Sequence, residues 1–118
     1  MSTEFRILVC GGRDYADKAK VYQTLDALLS ANPSVLHIIH GAARGADSLA
    51  SQWAKDRGVT EIAYPADWKA YGKQAGYIRN KQMLDEGKPD LVIAFPGGAG
   101  TAMMVRIARA AHIKTIEY

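Results

Sequence analysis

The sequence predicts a single three-layer α/β domain: a five-stranded parallel sheet in the order 3-2-1-4-5, with helices on both faces. Three observations carry this. Short apolar runs alternate with helix-patterned stretches from one end of the chain to the other, the pattern of strand–helix–strand units and of a sheet covered on both sides. With 118 residues and 48% hydrophobic content, the chain makes one domain over residues 1–118 with enough apolar surface for a core. Right-handed crossovers then leave few topologies for five strands and four helices in this order. The order 3-2-1-4-5 is preferred partly because it sets strands one and four side by side. Two glycine-rich loops then face each other at the switch point, where such sheets bind ligands.

Phe5 to Cys10 reads as the first strand. A helix follows over Asp17 to Ala31, with Val21, Leu25, Leu28 and Leu29 on one face, stopped by Asn32-Pro33 because the residue before proline avoids helical angles. Val35 to His40 is the second strand, and Asp47 to Arg57 the second helix, with Leu49, Ala50, Trp53 and Ala54 inward and Gly58 as a left-handed cap. Glu61 to Tyr64 is a short third strand. Pro65 to about Gly76 is the one long irregular piece, of a length that is usually functional in so compact a domain. Tyr77 to Glu86 is the third helix, ended by Gly87 and Pro89. Asp90 to Phe95 and Ile113 to Glu117 are strands four and five, with a helix over Thr101 to Ala111 between them.

The formal charge is +3 and the cations are scattered. A nucleic-acid-binding stripe would be more concentrated, which argues against a nucleic-acid partner and suits a small phosphorylated ligand. A lone cysteine, Cys10, excludes an internal disulfide and fits a reducing compartment. There is no charged-then-apolar leader and no run of membrane-spanning length, so the expectation is a cytoplasmic protein without a membrane partner. No His, Cys and Asp cluster has metal-ligand spacing, and no metal or cofactor is assigned.

The richest segment is Pro96-Gly97-Gly98-Ala99-Gly100-Thr101, between a strand and a helix on which Met104, Ile107, Ala108 and Ala111 share a face. Glycines at such a junction clear side chains from the first helical N–H groups, which lack partners and favour an anion, usually phosphate. A tight turn would need one glycine, not three, so phosphate is the preferred reading. The loop after strand one carries Gly11, Gly12, Arg13 and Asp14, where Asp14 either accepts from ribose hydroxyls or begins a helix. After strand two, Gly41 allows close approach and Arg44 offers a planar fork to phosphate, while Asp47 reads as a helix cap. His40 reads as a packed, hydrogen-bonded side chain, and Cys10 as a small apolar one. Trp68 and Tyr71, interleaved with Lys73, could stack on a base, but for either ring alone pinning the loop to the domain is preferred. Arg79 and Asn80, near a helix start beside the expected cleft, are assigned to ligand contact.

The series G-G-R-D-Y, H-G-A-A-R-G-A-D, Y-P-A-D-W, A-G-Y-I-R-N-K-Q-M and A-F-P-G-G-A-G-T, running in order from about Ile7 to Ile113, resembles the YspA-related branch of the SLOG superfamily. That superfamily joins the DNA-processing protein DprA to the LOG cytokinin-activating phosphoribohydrolases. The resemblance implies a Rossmann-like fold, a nucleotide-like small-molecule partner, and a role in sensing or processing nucleotides. It also admits a homodimer, since superfamily relatives commonly pair. LOG enzymes follow P-G-G-x-G-T with glutamates, one of which serves in cleaving the base–ribose bond. Here Ala102, Met103 and Met104 follow Thr101, whereas Arg79 and Met83 keep the LOG R-x-x-x-M spacing. The leading expectation is therefore a nucleotide-binding or sensing domain. A phosphoribohydrolase-like N-glycosidase is the alternative, with Asp14 and Asp67 as the candidate replacement carboxylates and Asp47 a further one. Single-stranded nucleic-acid binding, as in DprA, comes third.

Overall fold

A computed structural model describes residues 4–32 and 36–118. In chain order it contains β1 (Phe5–Cys10), α1 (Lys18–Ala31), β2 (Leu36–His40), α2 (Ala46–Arg57), β3 (Thr60–Ala63), α3 (Trp68–Tyr71) and a 3-10 turn at Gly72–Gln74. These are followed by α4 (Ala75–Gly87), β4 (Leu91–Ala94), α5 (Ala99–Ala110) and β5 (Lys114–Glu117). The sheet runs β3-β2-β1-β4-β5, and all four pairings are parallel. The expected order is the observed one. The expected helix stop at Pro33 and strand start at Val35 lie outside the described residues.

Alternation along the central strands divides the core into two layers. Ile7 and Val9 of β1 face α1 and α2, meeting Val21, Leu25, Ala50 and Trp53. Leu8 and Cys10 face the other way, with Ile39, Val92, Met83 and Met104. The inward faces expected of the helices hold at their centres: Val21, Leu25, Ala50, Trp53, Ala54, Met104 and Ala108 are buried, while Ala111 is exposed. The buried Trp53 indole donates to Asp26 Oδ1 at 2.8 Å, tying α2 to α1. None of the described helices is long and apolar enough to cross a membrane.

Two expectations about local structure are corrected. The segment Pro65 to Gly76 is not irregular throughout: α3 and the 3-10 turn occupy most of it, and α4 begins at Ala75. Asp67 starts α3 by accepting from the Ala70 amide at 3.0 Å, a cap that a one-turn helix needs and that periodicity over four residues cannot reveal. Helix α4 ends with Gly87 still helical and Lys88 in the left-handed conformation. The absence of a Cβ at Gly87 serves packing, since one would stand 3.1 Å from Ile39 Cδ1. Gly58 is the left-handed cap expected of it, at φ +67°.

Candidate functional site

The loops that follow β1, β2 and β4 gather at the carboxyl ends of the central strands. They do not face each other across a gap, as the strand order alone suggested. Gly12 donates to the Pro96 carbonyl at 2.9 Å, and Ala46 donates to the Gly12 carbonyl at 3.2 Å. The glycines make this joining feasible. A Cβ at Gly97 would stand 2.6 Å from the Gly12 nitrogen, and one at Gly45, whose φ is +80°, 2.1 Å from the Gly12 oxygen. The three loops thus form one continuous wall.

A cleft of about 380 Å³ lies between this wall and the α3–α4 segment, within the range usual for small-ligand sites. Gly98 and Gly100 stand at the start of α5, where no side chain caps the helix. A Cβ at either would meet nothing within 4 Å, so here glycine keeps the approach to the helix N-terminus clear. Unpartnered N–H groups and the helix dipole make that terminus receptive to an anion.

Arg79 stands opposite on α4, half-buried. Its Nη1 donates to the Gly41 carbonyl and its Nε to Asn80 Oδ1 at 3.1 Å. Burial pushes its pKa down, with Arg13 acting in the same direction and Asp47 opposing. A desolvated guanidinium of this kind gains from an incoming anion. Asn80 in turn donates to the Gly100 carbonyl at 3.1 Å, linking α4 to the first turn of α5. The Arg13 guanidinium lies 5.1 Å from the centre of the Trp68 ring, a cation–π contact that forms part of the cleft mouth.

Eight of the twelve residues assigned to ligand contact line the cleft: Gly11, Gly12, Arg13, Arg79, Asn80, Gly98, Gly100 and Thr101. Pro96 and Gly97 do not, being engaged in joining the loops. Gly41 and Arg44 border a separate depression with Pro65 and Ala66, and Arg44 makes a loose, exposed ion pair with Asp14 at 3.5 Å. Of the three carboxylates put forward for catalysis, Asp47 lines the cleft and Asp14 and Asp67 do not.

Two readings are changed by tertiary structure. Trp68 and Tyr71 are 47% and 53% exposed, so neither is a buried pin, and Trp68 lines the cleft together with Tyr77 and Lys73. Asp47 does not cap its helix: Gly45 holds the cap position without a side-chain bond. Asp47 Oδ2 instead accepts from the amides of Gly41 at 3.0 Å and Ala43 at 3.3 Å. Burial raises its pKa, against the opposing pull of those amides, His40 and Arg79. Its sequence signal, an acidic residue in a helix's first turn, is the same one a cap gives.

His40 and Cys10 behave as expected. His40 is buried, Nδ1 accepting from the Ala42 amide at 3.0 Å and Nε2 paired with Glu61 Oε1 at 2.8 Å. Burial would raise the Glu61 pKa, but the Ser51 hydroxyl and His40 outweigh it and the net direction is down. Burial pushes the Cys10 thiol up to about 12, leaving it protonated near neutrality although it touches the cleft floor. Among the described residues, no three His, Cys, Asp or Glu side chains gather as a metal site would require.

Comparison with known proteins gives three results. The model of the YspA, cpYpsA-related SLOG family matches residues 5–71. The chain is similar to the Gene 61 protein of Mycobacterium phage D29, with 38% identity over 120 residues, covering 96% of this chain and 95% of the relative. It is also similar to the X-ray structure of TM1055, with a TM-score of 0.72 over 94% of this chain and 72% of that one. At 18% identity this last likeness shows the fold alone.

Proposed function

The chain belongs to the YspA, cpYpsA-related SLOG family, and from that premise we propose that it binds a nucleotide or nucleotide-derived small ligand through its phosphate. One observation carries the reading: an uncapped α5 N-terminus cleared by Gly98 and Gly100 shares a cleft with the half-buried guanidinium of Arg79. Backbone N–H groups supply directed donors, and the arginine supplies a charge in a partly desolvated setting. Trp68 and Tyr77 at the mouth suit an aromatic base. The protein acts as a binding or sensing domain, in the reducing interior that its single buried thiol suits.

Equilibrium titration of nucleoside 5′-monophosphates against the matching nucleosides tests this. The monophosphates should bind at least about tenfold more tightly, the scale of a charge-assisted contact. Equal affinities would remove phosphate from the recognition.

A second reading, hydrolysis of the base–ribose bond, is favoured by one feature. Arg79 and Met83, one helical turn apart on α4, both line the cleft. Against it, the positions that carry glutamate in LOG enzymes are Met103 and Met104, and Met104 is fully buried. General acid–base assistance contributes about 10²–10⁴-fold, so bound nucleotide should persist. Rapid release of free base by the unmodified protein would establish the enzyme reading.

A further inference from the structure

The cleft does not end at Arg79. Beyond that side chain lies a depression of about 300 Å³, and Arg13, Ala43, Trp68 and Arg79 border both spaces. The partition is a guanidinium lying against backbone. A Cβ at Gly41 would stand 2.5 Å from Arg79 Nη1 and 2.7 Å from Cζ, so glycine is what admits the guanidinium there. Arg44 stands on the far side, its side chain 73% exposed and its pair with Asp14 long at 3.5 Å. Three arginines thus border the depression, and among the described residues no aspartate or glutamate lines it.

The charges of the two spaces are far from balanced. Four cations line them, Arg13, Arg44, Lys73 and Arg79, against one carboxylate, Asp47. A single phosphate monoester brings a charge of about −1.5 to −2, which meets only part of that excess. The charge of Arg13 also weighs on Arg79, a like-charge cost that an anion set between them relieves. We propose that the depression beyond Arg79 is a second phosphate subsite. The protein then selects nucleotide-derived ligands with two phosphate groups, one at the α5 N-terminus and one among Arg13, Arg44 and Arg79. This rests on the phosphate reading above and adds to it the number of phosphates. Arginine suits the second position because its planar fork takes two phosphate oxygens at once. Turning Arg44 from Asp14 to a ligand costs little, since exposed ion pairs of this kind contribute little.

The test compares adenosine and guanosine 5′-monophosphates with the 5′-diphosphates and 3′,5′-bisphosphates of the same nucleosides, titrated at one ionic strength. The two kinds of two-phosphate ligand distinguish a second phosphate carried in line from one carried on the sugar. One of them should bind at least about tenfold more tightly than its monophosphate. In the ¹⁵N-labelled unmodified protein the Arg44 and Ala66 amide signals should move with that ligand and stay still with the monophosphate. Arg44→Gln should cut the affinity ratio about threefold or more. Arg106→Gln removes the same charge from an exposed position of α5 that lines neither space, and should leave the ratio unchanged. The ratio is the readout because a general attraction of the more charged ligand to a basic protein would fall alike in both variants. Equal affinities for one and two phosphates, still Arg44 and Ala66 signals, or equal ratios in the two variants would each overturn the proposal. The phosphate reading stands in all three cases so long as Gly98, Gly100 and Thr101 respond to the monophosphate. No response at those three residues to any of the ligands would overturn that reading, and this inference with it.

Discussion

Arg79 has five N–H donors, of which two are engaged by Gly41 and Asn80, leaving three for a ligand. Replacing it with alanine should weaken nucleoside monophosphate binding roughly tenfold to a hundredfold, as loss of a charge-assisted contact does. Calorimetric titration measures this, and a loss under about threefold would contradict the assignment. Cys10 gives a prediction of the opposite kind. With its thiol pushed up to about 12 by burial, the thiolate fraction at neutral pH is negligible and rises only as the pH climbs toward that value. A thiol reagent should therefore label the folded protein far more slowly than the unfolded chain at the same pH, and equal labelling rates would contradict it. The candidate residues along the Gly-rich loops were legible because glycine and arginine announce themselves at strand ends. Asp47 was legible only as a helix-start signal. Its actual partners, Gly41 and Ala43, lie in a loop whose path is set by packing against Gly12.

At the scale of elements, the P-G-G-A-G-T turn divides its glycines between two tasks. Gly97 lies against Gly11, Gly12 and Thr101, where a Cβ would come within 2.6 Å of the Gly12 nitrogen. Gly98 opens on the cleft, where a Cβ would meet nothing within 4 Å. Gly97→Ala should cost about 1–3 kcal/mol of stability, read from denaturant midpoints, through steric overlap that backbone atoms cannot easily relieve. Gly98→Val should fold as the parent does yet lose ligand binding, because its methyl groups would cover the helix N-terminus. A Gly98→Val protein that binds normally would remove the turn from the site. The methionines of α5 differ in the same way. Met104→Glu would place an unpaired carboxylate in the core, costing about 3 kcal/mol or more. Met103 is only partly buried, its sulfur 3.8 Å from Asn80 Nδ2, so Met103→Glu should leave the melting temperature within a few degrees of the parent. The strands and long helices were readable from their periodicity. Helix α3 was not, having a single turn, and α5 starts two residues earlier than its pattern indicates because Gly100 in its first turn reads as loop.

The whole molecule joins a strand order to a cleft. With β1 beside β4, the loops after both strands meet and are sewn together by the Gly12–Pro96 bond, and α4 on the same face as α5 brings Arg79 opposite them. The sheet order was legible because right-handed crossovers and paired glycine loops point to one solution. The closed-up wall was not, since it depends on hydrogen bonds between segments far apart in the chain, Gly12 with Pro96 and Ala46 with Gly12. The central claim is that phosphate sits at the start of α5. Mapping amide signal changes in the ¹⁵N-labelled protein on titration with a nucleoside 5′-monophosphate tests it most directly. The account predicts that the largest shifts fall on Gly98, Gly100 and Thr101, accompanied by the Arg79 side-chain N–H. Shifts concentrated instead at Arg44 and Ala66, beyond the Arg79 partition, with the α5 N-terminus unmoved, would contradict it.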